Sequence, residues 1–568
     1  MNTRLACKTN TQSQRSRRNR CIVAALTYTV LLASATATTC DGLPAVALEN
    51  ARVTASVAIA GPSFAGPDGR IYNEVPPFCK VSLVATPTPD SLINIELWLP
   101  SAAHWNARFQ GIGNGGYAGN TAIAAPVMMA GLKNGFAVAT TDMGTVPSTT
   151  SNADLLVGHP QKWVDFGGRA THLMTVLSKQ LMQSYFSRAP AYSYFNGCST
   201  GGQQGMMSAQ RYPADYDGIL AGAPAHNRTH LHTLGVSNYN AMLATALSRF
   251  TPSQTKLITD SVLAACTSKS GGVAGDPFLT DPRPCDWDPA ALQCGLLAGL
   301  DCLTADQVTA ARKMYAGVRN PATGRLIVPG SVRGSENDAQ FGWVSQAKGT
   351  EPPYSSLFKW VFGPAWISRT FDYDRDMASV DDLLASTLNA NSPDLQPFKA
   401  RGGKLLSYHG TSDPLIPPQE SINYYLRVIA AQGSSSSGLK RTREFFRLFM
   451  VPGLAHCAAG PGPNAFGNQF SGTLLAAPPL AGDAAHDAFV ALQQWVENGV
   501  APERLIAAKY VQDQPSQGVQ MTRPLCPYPL YPKYSGSGAT DTAVNFICVD
   551  NRNNQGTLNP MPAPEYLR

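Results

Sequence analysis

The stretch "AYSYFNGCSTGGQQGMMSAQRYP" (191–213) constrains the fold more than any other part of the chain. It starts as an apolar, aromatic strand, "AYSYFNG" (191–197), and from residue 200 it is composed like a helix. The chain must therefore turn sharply within Gly197-Cys198-Ser199-Thr200-Gly201. A strand that feeds a helix through so short a turn brings backbones close together, and small residues beside the central serine relieve that crowding. G-x-S-x-G on such a turn is the pattern of a nucleophilic serine. Here an oxidisable thiol, Cys198, stands directly before it.

The surroundings of the turn read as an α/β fold. "SLINIELWLP" (91–100) alternates apolar and polar residues as a half-buried strand does. "RFQGIGNGGYAGN" (108–120) begins as a strand and dissolves into glycines, and "GFAVATTDMG" (135–144) suits a buried strand. In "RATHLMTVLSKQLMQSYF" (169–186), Leu173, Val176, Leu177, Leu181 and Phe186 have the spacing of one helix face. A helix over 200–212 and a buried strand "DGILAGAP" (217–224) follow. Strands alternating with helices imply a parallel sheet. Residues 225–395 break the pattern, being rich in Pro, Gly, Cys and aromatics. It resumes with strand "KLLSYHG" (404–410), helix 418–432, strand "EFFRLFMVPG" (444–453) and helix 484–498. The simplest account is one α/β domain, residues 38–224 and 396–568, split by a lid-like insertion over 225–395. "GSSSSG" (433–438) reads as a low-complexity surface loop.

Charge separates the leader from the body. The formal net charge is +6, but residues 1–37 hold six basic residues and no acid, so the rest balances 38 basic against 38 acidic residues. A neutral body carries no electrostatic footprint for nucleic acid or an anionic membrane. The six charges precede the apolar run "CIVAALTYTVLLASA" (21–35) and an Ala35-Thr36-Ala37 site, so 1–37 reads as a secretory signal peptide. The protein is expected to be secreted or periplasmic, without a membrane span. Ten cysteines remain after the leader, an even number suited to disulfides in an oxidising compartment.

A serine hydroxyl needs a base within reach and a carboxylate to orient that base. In the α/β-hydrolase order the acid follows the serine and the histidine comes last. Asp413 follows strand 404–410 and His456 follows strand 444–453, which makes Ser199, Asp413 and His456 the candidate triad. His456 is followed by Cys457 as Ser199 is preceded by Cys198. If the triad forms, the two cysteines come close, and a Cys198–Cys457 disulfide would staple the serine turn to the histidine loop. The developing oxyanion needs backbone donors: Thr200 N–H, and Gly115 or Gly116 in "GIGNGGYAG" (111–119). Gly111, Gly113 and Gly116 also spell G-x-G-x-x-G, but no dinucleotide-type helix follows.

Other features are less directive. His226, His230 and His232 in "HNRTHLH" are read as part of a polar loop rather than as metal ligands, and His409 as a neighbour of Asp413. Asn227-Arg228-Thr229 is a glycosylation sequon where the host glycosylates. Trp343, Phe358, Trp360, Phe362 and Trp366 fit either a lid core or a stacking surface for an aromatic substrate.

These residues resemble the tannase and feruloyl esterase family, whose pattern is C-S, D and H-C. Besides Cys198-Ser199, Asp413 and His456-Cys457, the blocks 194–225, 108–119, 401–418, 449–463 and 523–549 are similar to its nucleophile, oxyanion, acid, base and C-terminal segments. The resemblance implies an α/β-hydrolase core with a large inserted lid domain, and Gly116 as the oxyanion glycine. It implies the disulfides Cys40–Cys79, Cys198–Cys457, Cys266–Cys285, Cys294–Cys302 and Cys526–Cys548. It also implies a calcium loop in the lid, from which "CTSKSGGVAGDPFLTDP" (266–282) departs: Thr267 and Ser270 stand where carboxylates are expected. Asp276 and Asp281 remain as metal-ligand candidates, and calcium is expected to bind weakly or not at all.

The sequence thus predicts a secreted serine carboxylic-ester hydrolase for small esters of aromatic acids, feruloyl, hydroxycinnamoyl or galloyl, with no required cofactor. A terephthalate-monoester hydrolase, a peptidase or acyltransferase on the same fold, and a non-catalytic module that binds aromatic ligands are the alternatives. For the terephthalate monoester, no basic residue in 344–370 stands out as a partner for its carboxylate. Acyl specificity and oligomeric state are left open by the sequence.

Overall fold

The computed structural model describes residues 37–295, 301–468, 476–550 and 561–567. The expected signal peptide, Ala37 apart, lies outside the described residues. Among them, nine strands form the central sheet: β1 (Ala51–Ile59), β2 (Phe78–Ala85), β3 (Ile93–Pro100), β4 (Arg108–Ile112), β5 (Ala137–Thr141), β6 (Tyr192–Cys198), β7 (Gly218–Gly222), β8 (Lys404–Gly410) and β9 (Phe446–Val451). Their order is β1-β2-β3-β5-β4-β6-β7-β8-β9. The first three and β5 pair antiparallel, and every pairing from β5 to β9 is parallel. This is the α/β-hydrolase arrangement.

The strand sequences explain the burial. The edge strand β1 buries only Val53, while β5 and β7 are buried at every position, as strands covered on both faces must be. Successive side chains then divide between two cores. Ala139, Ile219 and Leu405 join Leu177, Met206 and Tyr425 on one face. Val138, Leu220 and Leu406 join Met128, Leu132 and Leu492 on the other. The first face is covered by the helices α2 (Ala170–Phe186), α3 (Thr200–Arg211) and α7 (Pro418–Ala431). The second is covered by α1 (Ala125–Lys133) and α9 (Ala488–Asn498). On α2 the buried stripe runs through Met174, Leu177 and Leu181, whereas Val176, expected on that face, is 36% exposed.

Between β7 and β8 the alternation stops. The intervening chain carries α4 (Arg228–Met242), α5 (Pro252–Cys266), α6 (Ala305–Ala316) and shorter pieces. Part of it has a core of its own, with Ile258, Val262, Leu279, Val308 and Trp343. Part of it, including Leu234, Phe358, Trp360 and Leu388, packs into the main core. Residues 37–568 accordingly form one compact unit, insertion included. Of the aromatics left open by the sequence, Trp343, Phe358, Trp360 and Trp366 are buried as packing, and Phe362 is half-buried against the main core.

Two local readings differ from the structure. "GSSSSG" is not a loop throughout: α8 (Ser435–Arg443) starts inside it. Lys440, Arg441 and Arg443 in its last turn favour the negative end of the helix, which offsets the poor propensity of its serines. "HNRTHLH" opens α4 rather than a polar loop, and its three histidines are buried with separate partners, Pro224 O, Asp381 and Arg228. Asn227 is 3% exposed and donates to Glu420 Oε2 at 2.9 Å, so the sequon is closed to modification in the folded chain. No helix among the described residues is long and apolar enough to cross a membrane.

Candidate active site

Every candidate catalytic side chain sits just beyond the carboxyl end of a parallel strand, where α/β sheets form their clefts. Ser199 follows the last residue of β6, Asp413 lies three residues past β8 and His456 five past β9. Ser199 has φ +65° and ψ −119°, a backbone conformation that residues with side chains seldom adopt. Its surroundings hold it there. Ser199 N–H donates to Gly222 O, and Ser199 O accepts from Gln203 N and Ala225 N, each at 3.0 Å. The flanking glycines are there for lack of room. A Cβ on Gly197 would stand 2.7 Å from Gly201 Cα, and one on Gly113 would stand 2.6 Å from the same atom. The G-x-S-x-G spacing and the early glycine loop are therefore one packing requirement.

Asp413 and His456 meet. His456 Nδ1–H donates to Asp413 Oδ2 at 2.8 Å, with both residues buried. Asp413 Oδ1 accepts from the N–H groups of Leu415 and Ile416, each at 2.9 Å, so the carboxylate cannot turn away. His409, expected beside Asp413, has Nε2 3.2 Å from Asp413 Oδ2 and 3.1 Å from Ile416 O. Two acceptors at one nitrogen make it the protonated one, and Nδ1 accepts from Ser421 Oγ at 2.7 Å. Burial alone would raise the Asp413 pKa. The charge of His456 and the hydrogen bonds from His409 and His456 outweigh burial and hold the carboxyl well below the usual carboxylate range. The group stays ionised at neutral pH and fixes the His456 tautomer that leaves Nε2 as an acceptor.

Ser199 and His456 line one cavity of about 430 Å³, together with Gly115, Gly116 and Thr200. Gly116 has φ +56°, and a Cβ there would fall 1.8 Å from Thr150 O, so only glycine fits. Thr200 opens α3, so its N–H lacks an intrahelical acceptor. The insertion supplies much of the remaining wall: Leu231, Leu234, Asn238, Phe341 and Tyr354. The Phe341 ring meets the His456 imidazole edge to face at 5.2 Å. The sequence did not single out Phe341 and Tyr354. No local pattern marks them, since they reach the cavity only through the folding of the insertion.

All ten cysteines after the leader are bonded, as Cys40–Cys79, Cys198–Cys457, Cys266–Cys285, Cys294–Cys302 and Cys526–Cys548. Cys198–Cys457 joins the residue before Ser199 to the residue after His456 across 259 positions, with the Cα atoms 5.9 Å apart.

Asp276 and Asp281, the metal-ligand candidates of the sequence, each pair with an arginine. Asp276 Oδ1 accepts from Arg523 Nη2 at 2.6 Å, and Asp281 Oδ2 accepts from Arg283 Nη2 at 2.7 Å. The hydroxyls of Thr267 and Ser270 donate to Leu263 O and Thr267 O, each at 2.7 Å. No group of three or more metal-ligating side chains occurs among the described residues. Calcium needs several oxygens with uncommitted charge, and these carboxylates are already neutralised by arginines. Dialysis against EDTA is therefore expected to leave the initial rate and Tm unchanged. A fall in Tm of several degrees, restored by calcium, would contradict this, because a metal held by the folded chain stabilises it by mass action.

The family model "Tannase and feruloyl esterase" matches residues 79–360 and 365–549. An uncharacterized esterase of Xanthomonas campestris pv. campestris is 36% identical over 93% of this chain and 94% of its own. A probable feruloyl esterase B-2 of Aspergillus flavus is 34% identical over 79% of this chain and 83% of its own. Among solved structures, feruloyl esterase B from Aspergillus oryzae superposes with a TM-score of 0.77 at 28% identity, covering 90% of this chain and 99% of that one. Tannin acyl hydrolase from Aspergillus niger shares the fold, with a TM-score of 0.69 at 22% identity over 92% and 96% of the two chains.

Proposed function

The chain belongs to the tannase and feruloyl esterase family, and on that premise we propose that it is an exported serine hydrolase that cleaves esters of aromatic acids through an acyl-enzyme. The observation that carries this reading is the Asp413–His456 hydrogen bond at the wall of the cavity that Ser199 also lines. His456 Nε2 takes the Ser199 hydroxyl proton as Oγ bonds to the ester carbonyl carbon, and the carbonyl π pair moves onto oxygen. The N–H groups of Thr200 and Gly116 hold that oxyanion. Collapse re-forms the carbonyl, breaks the bond to the alcohol oxygen and returns the proton from His456 to the leaving alcohol. Water repeats the sequence on the acyl-enzyme, and Asp413 holds the imidazolium each time it forms.

The cavity supports an aromatic acyl group. Its size lies within the usual range for small-ligand sites, and Ile123, Leu234, Phe341, Tyr354, Leu415 and Ile416 give it an apolar lining. Five cystines in the described chain support export to an oxidising compartment. Initial rates on methyl ferulate, methyl p-coumarate, methyl gallate and the terephthalate monoester, beside methyl butyrate, test the reading. Turnover of an aromatic ester in preference to the butyrate is expected. Preference for the butyrate, or silence on every ester from folded oxidised protein, would reject it.

A further inference from the structure

The cavity wall contains a charge that the mechanism above leaves without a role. Arg228 is 2% exposed, and no carboxylate pairs with it among the described residues. Its partners are all neutral. Nε and Nη2 donate to Gln203 Oε1 at 2.9 and 2.6 Å, and Nη2 donates to Thr200 Oγ1 at 2.7 Å. Nη1 lies 3.4 Å from His232 Nε2, and the guanidinium carbon sits 4.8 Å from the Phe166 ring centroid. Burial lowers the Arg228 pKa only to about 10, so the group is a cation at neutral pH. A buried guanidinium without a counter-ion is costly. Arg228 is also the first residue of α4, where the positive end of the helix dipole opposes a cation. Such an arrangement fits a place where negative charge appears during the reaction. Of the described residues lining the cavity, Arg228 is the only one with a permanent charge, and none is acidic.

The hydrogen bonds lead from this cation to the oxyanion site. The Thr200 hydroxyl proton goes to Gly116 O at 2.6 Å, so the same oxygen is left to accept from Arg228. Gln203 Nε2 donates to Leu388 O at 2.5 Å, which turns its oxygen toward the guanidinium. Arg228, Thr200 and Gly116 thus form a chain that joins the two backbone segments whose N–H groups face the reacting carbonyl.

We propose that Arg228 is the positioning residue of the oxyanion site: it clamps Thr200 to Gly116, and its unpaired positive charge favours the negative oxygen of the tetrahedral intermediate. This inference rests on the esterase reading above. It predicts an effect on the transition state and little on ground-state binding.

The test compares wild type, Arg228→Met and Gln203→Glu on the preferred ester, with folding followed by circular dichroism. Glutamate at 203 gives Arg228 a carboxylate partner and so cancels its charge while keeping the side chain's length, at the cost of the bond to Leu388 O. Both variants are expected to lose kcat about 10- to 100-fold with KM within about twofold. An arylboronate, which becomes an anion on Ser199, is expected to lose affinity by a similar factor, and a neutral aromatic amide inhibitor to keep its affinity. A purely structural Arg228 would weaken amide and boronate alike, and that result overturns the proposal. So does an undiminished kcat in Gln203→Glu, which decides the matter if Arg228→Met fails to fold. No turnover by the wild type would instead overturn the esterase reading itself.

Discussion

Ser199→Ala is expected to lower kcat/KM on the preferred ester by about 10⁴- to 10⁶-fold, with Tm and all five cystines unchanged. The effect is large because, in the proposed mechanism, the acyl-enzyme is an ester of Ser199 Oγ, so neither half of the reaction can run without it. The fold is spared because the strained backbone there is held by Gly222, Gln203 and Ala225 through main-chain groups that alanine keeps. The residual rate is what the oxyanion donors and His456 provide to a water molecule. A fluorophosphonate should label the wild type and not the variant. Retention of activity within tenfold, or labelling of the variant, would place the nucleophile elsewhere and sink the triad.

Loss of the Cys198–Cys457 bridge is expected to be the largest stability change available from a single cross-link. In the loop-closure model a loop of 259 residues limits the unfolded chain by about 5.5 kcal/mol, against about 3.5 kcal/mol for the 22 residues closed by Cys526–Cys548. Urea unfolding of the Cys198→Ala/Cys457→Ala double variant measures the first figure and Cys526→Ala/Cys548→Ala the second. The two should also part in activity. The Cys198–Cys457 bridge sets the separation of the Ser199 turn and the His456 loop, and a misplacement of about 1 Å is enough to cost on the order of 100-fold in rate. Cys526–Cys548 lines no part of the cavity, so its removal should leave kcat intact. Equal kcat in both double variants would show that packing alone fixes the Ser199–His456 geometry.

Much of the candidate site was legible because it is written locally. A strand, a glycine-flanked serine and a helix occupy 191–213, and an acid and a histidine each follow an apolar strand. Strand ends in a parallel sheet converge on one edge, so a residue's place after its strand already says which cleft it faces. The cysteines beside Ser199 and His456 could be paired for the same reason. A local signal was also present for α8, in the basic residues of its last turn, but serine-rich composition obscured it.

Where charge and aromatic surface come to rest was decided only by tertiary packing. Asp276 reads as a candidate cation ligand in the sequence, and in the fold its carboxylate accepts from Arg523, 247 residues away. Arg228 stood in what read as a polar loop, yet it is buried on the cavity wall against Thr200 and Gln203 with no acid beside it. Phe341 touches His456, while Trp343, two residues on, is buried in the core of the insertion. Periodicity and turn chemistry encode what a residue does with its near neighbours along the chain. The partner of a buried charge, and the side of an inserted segment that meets substrate, depend on contacts between distant segments, which exist only once the chain has packed.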